Sequence, residues 1–103
     1  EKVKKIMKGI QIVYHCAATA HEGLSVFSPY EITKNNFLAS VSIFSAAINE
    51  KVKRIVFCSS MARYGSQEYP FTESMKPKPV DPYAISKVAA EQVLMNLCEL
   101  NKM

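Results

Sequence analysis

No apolar run in the sequence reaches the roughly 18 residues that a membrane-spanning helix needs, and no charged–apolar–small pattern suggests a signal peptide. Glycine is scarce, with Gly9, Gly23 and Gly65 the only three. The three cysteines, Cys16, Cys58 and Cys98, are odd in number and lack metal-ligand spacing, so no metal site is expected. They read as buried free thiols of a reducing compartment, which makes the cytoplasm the expected location. Aromatic residues do not interleave with the lysine clusters "EKVKKIMK", "KVKR" and "KPKP", so the net charge of +4 reads as a solvated lysine-rich face and not as a nucleic-acid surface. The chain opens on Glu1 and closes on "CELNKM" inside a helical pattern, so both ends read as cut.

What is present alternates. "EKVKKIMKG" has helical spacing and stops at Gly9. "IQIVYHCAA" is a β-branched, mostly apolar run and predicts a buried strand. "TAHEGLSVFSP" reads as a loop. From Tyr30 to Glu50, Phe37, Val41, Phe44, Ala47 and Ile48 form the apolar face of a helix. "KVKRIVFCSS" holds a second buried strand, about Arg54 to Ser59. "MARYGSQEYPFTESMKPKPV" is a long irregular stretch, of a kind that is usually functional. In "DPYAISKVAAEQVLMNLCEL", Asp81 suits the N-cap and Pro82 the first helical position. Ile85, Ala89, Val93 and Leu97 then form a stripe toward the core, with Tyr83 and Lys87 on a neighbouring stripe. Two buried strands among three helices imply an α/β fold with right-handed crossovers and a doubly wound parallel sheet. One sheet face and both edges are expected to stay uncovered.

Two segments share a pattern: "PYEITK" at 29–34 and "PYAISK" at 82–87. Each opens the helix after a strand, at the carboxyl edge where such sheets bind ligands. A Tyr and a Lys four apart on a helix can touch. The bland reading is a surface tyrosine with a helical neighbour. Ahead of the second copy, the strand end "CSSMARYG" places Ser59 and Ser60 where a hydroxyl could bond a reacting oxygen; the first copy is preceded by the small residues of "HCAATA".

At this point the chain resembles the extended short-chain dehydrogenase/reductases, within them the NAD-dependent epimerase/dehydratase group acting on nucleotide sugars. "IVYHCAA" is similar to that family's strand ending in His-x-Ala-Ala, and "NNFLASVSIFSAA" to its Asn-x-x-Gly-Thr-x-Asn helix. "VKRIVFCSSMARYG" resembles its Val-Lys-Arg strand and Ser-Ser…Tyr-Gly turn, and "PFTESMKPKPVDPYAISKVAAE" its Pro-Tyr-x-x-x-Lys-x-x-x-Glu run. The resemblance implies a Rossmann-type fold, of which 1–103 would be a partial NAD-binding domain lacking the N-terminal Gly-rich turn and the C-terminal substrate-binding part. Such a piece is not expected to bind NAD tightly, because the pyrophosphate cradle is absent.

The family's order of Asn, Ser, Tyr and Lys falls on Asn36, Ser60, Tyr83 and Lys87, which makes "PYEITK" a decoy. The implied catalytic residues are Ser60, Tyr83 and Lys87. The implied cofactor set is Cys16, Ala17, Ala18, Asn36, Cys58, Tyr83 and Lys87, and the implied substrate contacts are Ser60, Met61 and Ala62. A free tyrosine has a pKa near 10, and lowering it by about three units needs about 4 kcal/mol. A lysine ammonium near 4 Å, at an effective dielectric of about 20, supplies about that much. The residues after the serine separate sub-families. Sugar 4,6-dehydratases carry Asp-Glu there to drive loss of water, whereas Met61 and Ala62 fit simple 4-epimerases. The implied function is NAD-dependent C4 epimerisation of a nucleotide sugar by an enzyme that is a homodimer at full length. A reductase of the same family on a non-sugar substrate and a non-catalytic dinucleotide-binding scaffold are the alternatives. Arg63 stands in place of a small apolar residue and reads as a surface residue or a substrate contact. His21 and Glu22 read as polar loop residues or as neighbours of substrate. His15 reads as orienting its strand end.

Overall fold

A computed structural model describes residues 2–103. Helix α1 (Lys2–Ile6) leads through Gly9, at φ +76°, into strand β1 (Ile12–His15). A short helix α2 (Glu22–Ser25) precedes α3 (Pro29–Thr33), which runs through a π-helical turn (Lys34–Leu38) into α4 (Ala39–Asn49). Strand β2 (Arg54–Phe57), a 3₁₀ turn (Met61–Tyr64) and the long helix α5 (Pro82–Asn101) complete the order. The strands pair in parallel, with Ile12 opposite Arg54 and His15 opposite Phe57.

Alternation along both strands sends Val13, His15, Ile55 and Phe57 toward the helices. Ile12, Tyr14 and Val56 on the other face are exposed. The strands expected to be buried are therefore covered on one face only, because the described helices that pack on them lie on that side. Met7 joins Ala46, Ala47 and Val52 in one cluster, and Phe44, Ala90 and Leu94 form the second. Phe44 meets His15 edge-on at 5.7 Å and Phe57 edge-on at 5.6 Å.

The cap signals at α5 held. Asp81 Oδ1 accepts the Ala84 N–H at 2.8 Å, and Pro82 occupies the first turn. The expected inward stripe held only toward its far end, where Leu97 packs on the second cluster while Ala89 and Val93 are half-buried. Ile85 is 53% exposed, and the buried positions are Tyr83, Ala84, Ser86, Lys87, Val88, Ala90 and Leu94. Small Ala84 and Ala90 admit close packing, and the first half of α5 faces polar strand ends, so polar side chains turn inward there. The segment expected as a loop contains α2, whose Ser25 is buried and donates to the Asp81 carboxylate at 3.4 Å.

The irregular stretch after β2 folds back on itself. Lys78 N–H donates to the Arg63 carbonyl at 2.8 Å, and Gln67 Nε2 donates to the carbonyls of Tyr64 and Lys76, both at 2.9 Å. Gly65 sits at φ +59°, and a Cβ there would meet the Lys78 carbonyl oxygen at 2.1 Å. Only glycine allows that return. Among the described residues, no helix is long and apolar enough to cross a membrane.

Candidate active site at the strand ends

The carboxyl ends of β1 and β2 lie side by side. The ladder continues one step past the strands, with Cys58 N–H donating to the His15 carbonyl at 3.1 Å. That step brings Cys16 Sγ and Cys58 Sγ within 3.4 Å. Both cysteines are exposed and only Cys98 is half-buried, contrary to the expectation of three buried thiols. They stand beyond the last paired residues, where the helix cover stops. Ala17 and Ala18 are exposed beside Cys16.

Lys87 approaches this edge from α5. It is 3% exposed, its Nζ donates to the Cys58 carbonyl at 2.5 Å, and it lies 4.4 Å from the centre of the Phe57 ring. Burial holds its pKa below the usual lysine value, opposed by the nearby Cys58 and Cys16 sulfurs. Tyr83, one turn earlier on α5, is also buried, and no described group hydrogen-bonds its hydroxyl.

The two copies of the Pro-Tyr pattern thus occupy different environments. Tyr30 is 72% exposed and carries Lys34 Nζ over its ring at 5.8 Å, a solvated pair on α3. Tyr83 and Lys87 are buried on the face of α5 that meets the strand ends.

The two serines after β2 also divide. Ser59 Oγ donates to Glu91 at 2.8 Å, and the other oxygen of that carboxylate accepts Arg63 Nη1 at 2.7 Å. Ser60 Oγ accepts the Ala62 N–H at 3.2 Å as the N-cap of the 3₁₀ turn, which leaves its hydroxyl proton for another acceptor. Met61 is exposed and Ala62 half-buried. Arg63 is not a free surface residue: its side chain is 25% exposed, ion-paired with Glu91 and set over the Tyr64 ring at 5.4 Å.

Asn36 sits in the π-helical turn and is 1% exposed. Its Oδ1 accepts the Thr19 N–H at 2.7 Å and its Nδ2 donates to the Thr19 carbonyl at 3.1 Å. Its amide is spent on the loop that follows Cys16, Ala17 and Ala18, so it shapes the edge through that loop. His15 is buried, with Nε2 2.8 Å from Ser40 Oγ and its ring stacked on Phe57. Burial, and then the Lys87 charge, lower its pKa, so it stays neutral and holds the strand end. His21 and Glu22 project into solvent around the start of α2. Sequence reasoning gave no role to Thr19, Ser40 or Glu91. Only Glu91 carried a signal, its place four residues after Lys87 on the same helix. A hollow of about 550 Å³ lies away from this edge, lined by Lys51, Val52, Lys53 and Lys102 among others. No group of three or more His, Cys, Asp or Glu among the described residues could hold a metal ion.

The chain is 36% identical over 94 residues to the human dTDP-D-glucose 4,6-dehydratase, covering 90% of this chain and 27% of that protein. It matches the UDP-N-acetylglucosamine 4-epimerase of Methanobrevibacter ruminantium M1, solved with UDP-N-acetylmuramic acid, with a TM-score of 0.95 and 35% identity, over all of this chain and 34% of that one. It matches the UDP-glucose 4-epimerase of Brucella ovis, solved with NAD, with a TM-score of 0.93 and 28% identity, over 99% of this chain and 32% of that one. The chain therefore spans about a third or less of the proteins it matches. The model of the NAD dependent epimerase/dehydratase family matches residues 1–103, and the chain belongs to that family.

Proposed function

We propose that the intact protein carrying this chain is an NAD-dependent epimerase that inverts C4 of a nucleotide sugar through a transient keto-sugar. The observation that supports this reading is that Tyr83 and Lys87 are buried one turn apart on α5, with Lys87 on the Cys58 carbonyl two residues before Ser60, whose hydroxyl is free to donate and is followed by two residues that cannot exchange protons. The strand ends suit a dinucleotide: Cys16, Ala17 and Ala18 are small and exposed, Cys58 flanks them, and Lys87 supplies a cation beside them. These residues would hold NAD, which would supply hydride acceptance and return at C4. Tyr83 removes the C4 hydroxyl proton and later restores it, acting as both base and acid. Ser60 donates to the same oxygen and keeps it in line with Tyr83. Lys87 places its positive charge at the strand end and is positioned to hold the cofactor ribose. Asn36 fixes the loop under the cofactor through Thr19.

Loss of water would need one group to take the proton beside the ketone and another to protonate the departing hydroxyl. Met61 and Ala62 can do neither, although a curated relative is a 4,6-dehydratase. The enzyme is expected to be a cytoplasmic homodimer, and exposed Leu38, Ile85 and Met95 offer apolar surface to a partner. Incubation of the intact protein with UDP-glucose, UDP-galactose and their N-acetyl forms, followed by NMR, should show interconversion of 4-epimers. Accumulation of a 4-keto-6-deoxy sugar would overturn the assignment, and no reaction with any of the four would favour a reductase of non-sugar substrates.

A further inference from the structure

The geometry points to a redox modification site at the strand ends, in which Cys16 and Cys58 are joined by a hydroperoxide into a cross-strand disulfide. Four observations support it. The sulfurs are already 3.4 Å apart. A disulfide is about 2.05 Å long, so they need close by only about 1.4 Å. The two residues are the next step of a parallel ladder in which His15 faces Phe57. Adjacent strands lie about 4.8 Å apart, inside the Cα separation of about 4.4–6.8 Å that disulfides span. Both cysteines lie past the last paired residues and are exposed, so an oxidant can reach them and side-chain rotation can bring the sulfurs together. The Lys87 ammonium sits on the Cys58 carbonyl and places a cation at the same edge.

The chemistry balances in two steps. One thiolate attacks the hydroperoxide O–O bond, forming a sulfenic acid and releasing an alkoxide, or hydroxide from hydrogen peroxide, which takes back from solvent the proton the thiol gave up. The second thiol then attacks the sulfenic sulfur. The S–S bond forms, the S–O bond breaks, and the hydroxyl leaves as water with the second thiol's proton. Both sulfurs are oxidised and the peroxide is reduced. Cys16 suits the second role. Its pKa is raised, first by the hydrogen bond with Cys58 and then by that sulfur's charge, so it keeps the proton the leaving hydroxyl needs. Cys98 lies elsewhere, with its Sγ 3.8 Å from Met103 Sδ, and is an internal control.

The proposal does not rest on the reaction assigned above, because it is read by mass and thiol count and not by turnover. The intact protein, stripped of any bound dinucleotide, is treated with a stoichiometric amount of hydrogen peroxide, blocked, digested with trypsin without reduction and mapped by mass spectrometry. Peptides 9–34 and 55–63 should appear linked, two hydrogens lighter than their sum. A thiol reductant should separate them. Cys98→Ser should still form the link, whereas Cys16→Ser and Cys58→Ser should instead collect oxygen adducts on the remaining cysteine. Oxygen adducts on separate Cys16 and Cys58 peptides of the unsubstituted protein, with no linked peptide, would overturn the proposal. So would a link that involves Cys98.

Discussion

Asn36→Ala in the intact protein should loosen the floor of the strand edge at a calculable cost. The substitution removes the bonds of 2.7 and 3.1 Å that hold Thr19. Asn36 is 1% exposed, so water reaches the vacated site only in part. A typical intramolecular hydrogen bond is worth about 1 kcal/mol net, and a buried group left unmatched costs about 1–3 kcal/mol. Two lost bonds and a small void therefore cost about 2–4 kcal/mol, against total stabilities of about 5–15 kcal/mol. Denaturant unfolding should show a lower midpoint at an unchanged slope, and NAD titration should show weaker binding because the loop after Cys16 loses its anchor. Asn35 is the control. It is exposed and makes one bond of 3.3 Å to Thr19 Oγ1, so Asn35→Ala should cost about 0.5 kcal/mol or less. A loss below about 0.5 kcal/mol for Asn36→Ala, or an equal loss for Asn35→Ala, would refute the reasoning.

Tyr83→Phe should lower turnover by about 10²–10⁴-fold while Tyr30→Phe leaves it close to normal; steady-state kinetics on folded variants would reject the site if the order were reversed. Lys87→Met should abolish most activity yet stay within about 1 kcal/mol of the parent stability or exceed it, because a buried charge is exchanged for an apolar chain of similar length. The folded-state pKa of Lys87 lies below its unfolded value of 10.5, so between the two the unfolded chain holds the extra proton and stability rises with pH. Lys87→Met should lose that alkaline rise, and a variant retaining it would contradict the assignment. His15 has its pKa lowered from 6.5. The unfolded chain therefore binds a proton first as pH falls below 6.5, and stability drops from there toward the lower folded-state value. NMR titration of the His15 ring at or above 6.5 would show this to be wrong.

Local chemistry made the start of α5 legible, because Asp81 followed by Pro82 encodes a cap and a first turn without help from distant residues. The strands and their parallel pairing followed from short β-branched runs set between helices. What misled was the assumption that apolar stripes turn inward. Ile85 heads a clean stripe, yet the helix buries Tyr83, Ser86 and Lys87, and Lys87 meets the end of β2. The cysteines misled because an odd count without metal-ligand spacing says nothing of where cover ends, and it ends one residue before Cys16 and Cys58. Motif order singled out Asn36 and not Asn35, though its partner Thr19 comes from a different loop and no spacing rule reports it. Ser59 and Ser60 are adjacent and alike in sequence, and only the position of Glu91 separates them.

The π-helical turn has a mechanical consequence. Ile32, Asn36, Ser40 and Phe44 all point inward at intervals of four residues. In a regular α-helix four residues turn about 400°, so such a row creeps around the axis by about 40° a step, or about 120° over three steps. The slower winding of residues 34–38 takes up part of that creep, as a stretch of coarser thread would on a screw. The inward row is thus straightened by one surplus residue, held in the π-helical turn. Deleting a single residue from 34–38 would leave Ile32 and Phe44 eleven residues apart, about 1100° or three turns and 20° in a regular α-helix, so the π-helical turn would close while Ile32 kept facing the interior. In this segment, winding and chain length offset each other, and the first Pro-Tyr pattern keeps its bearing.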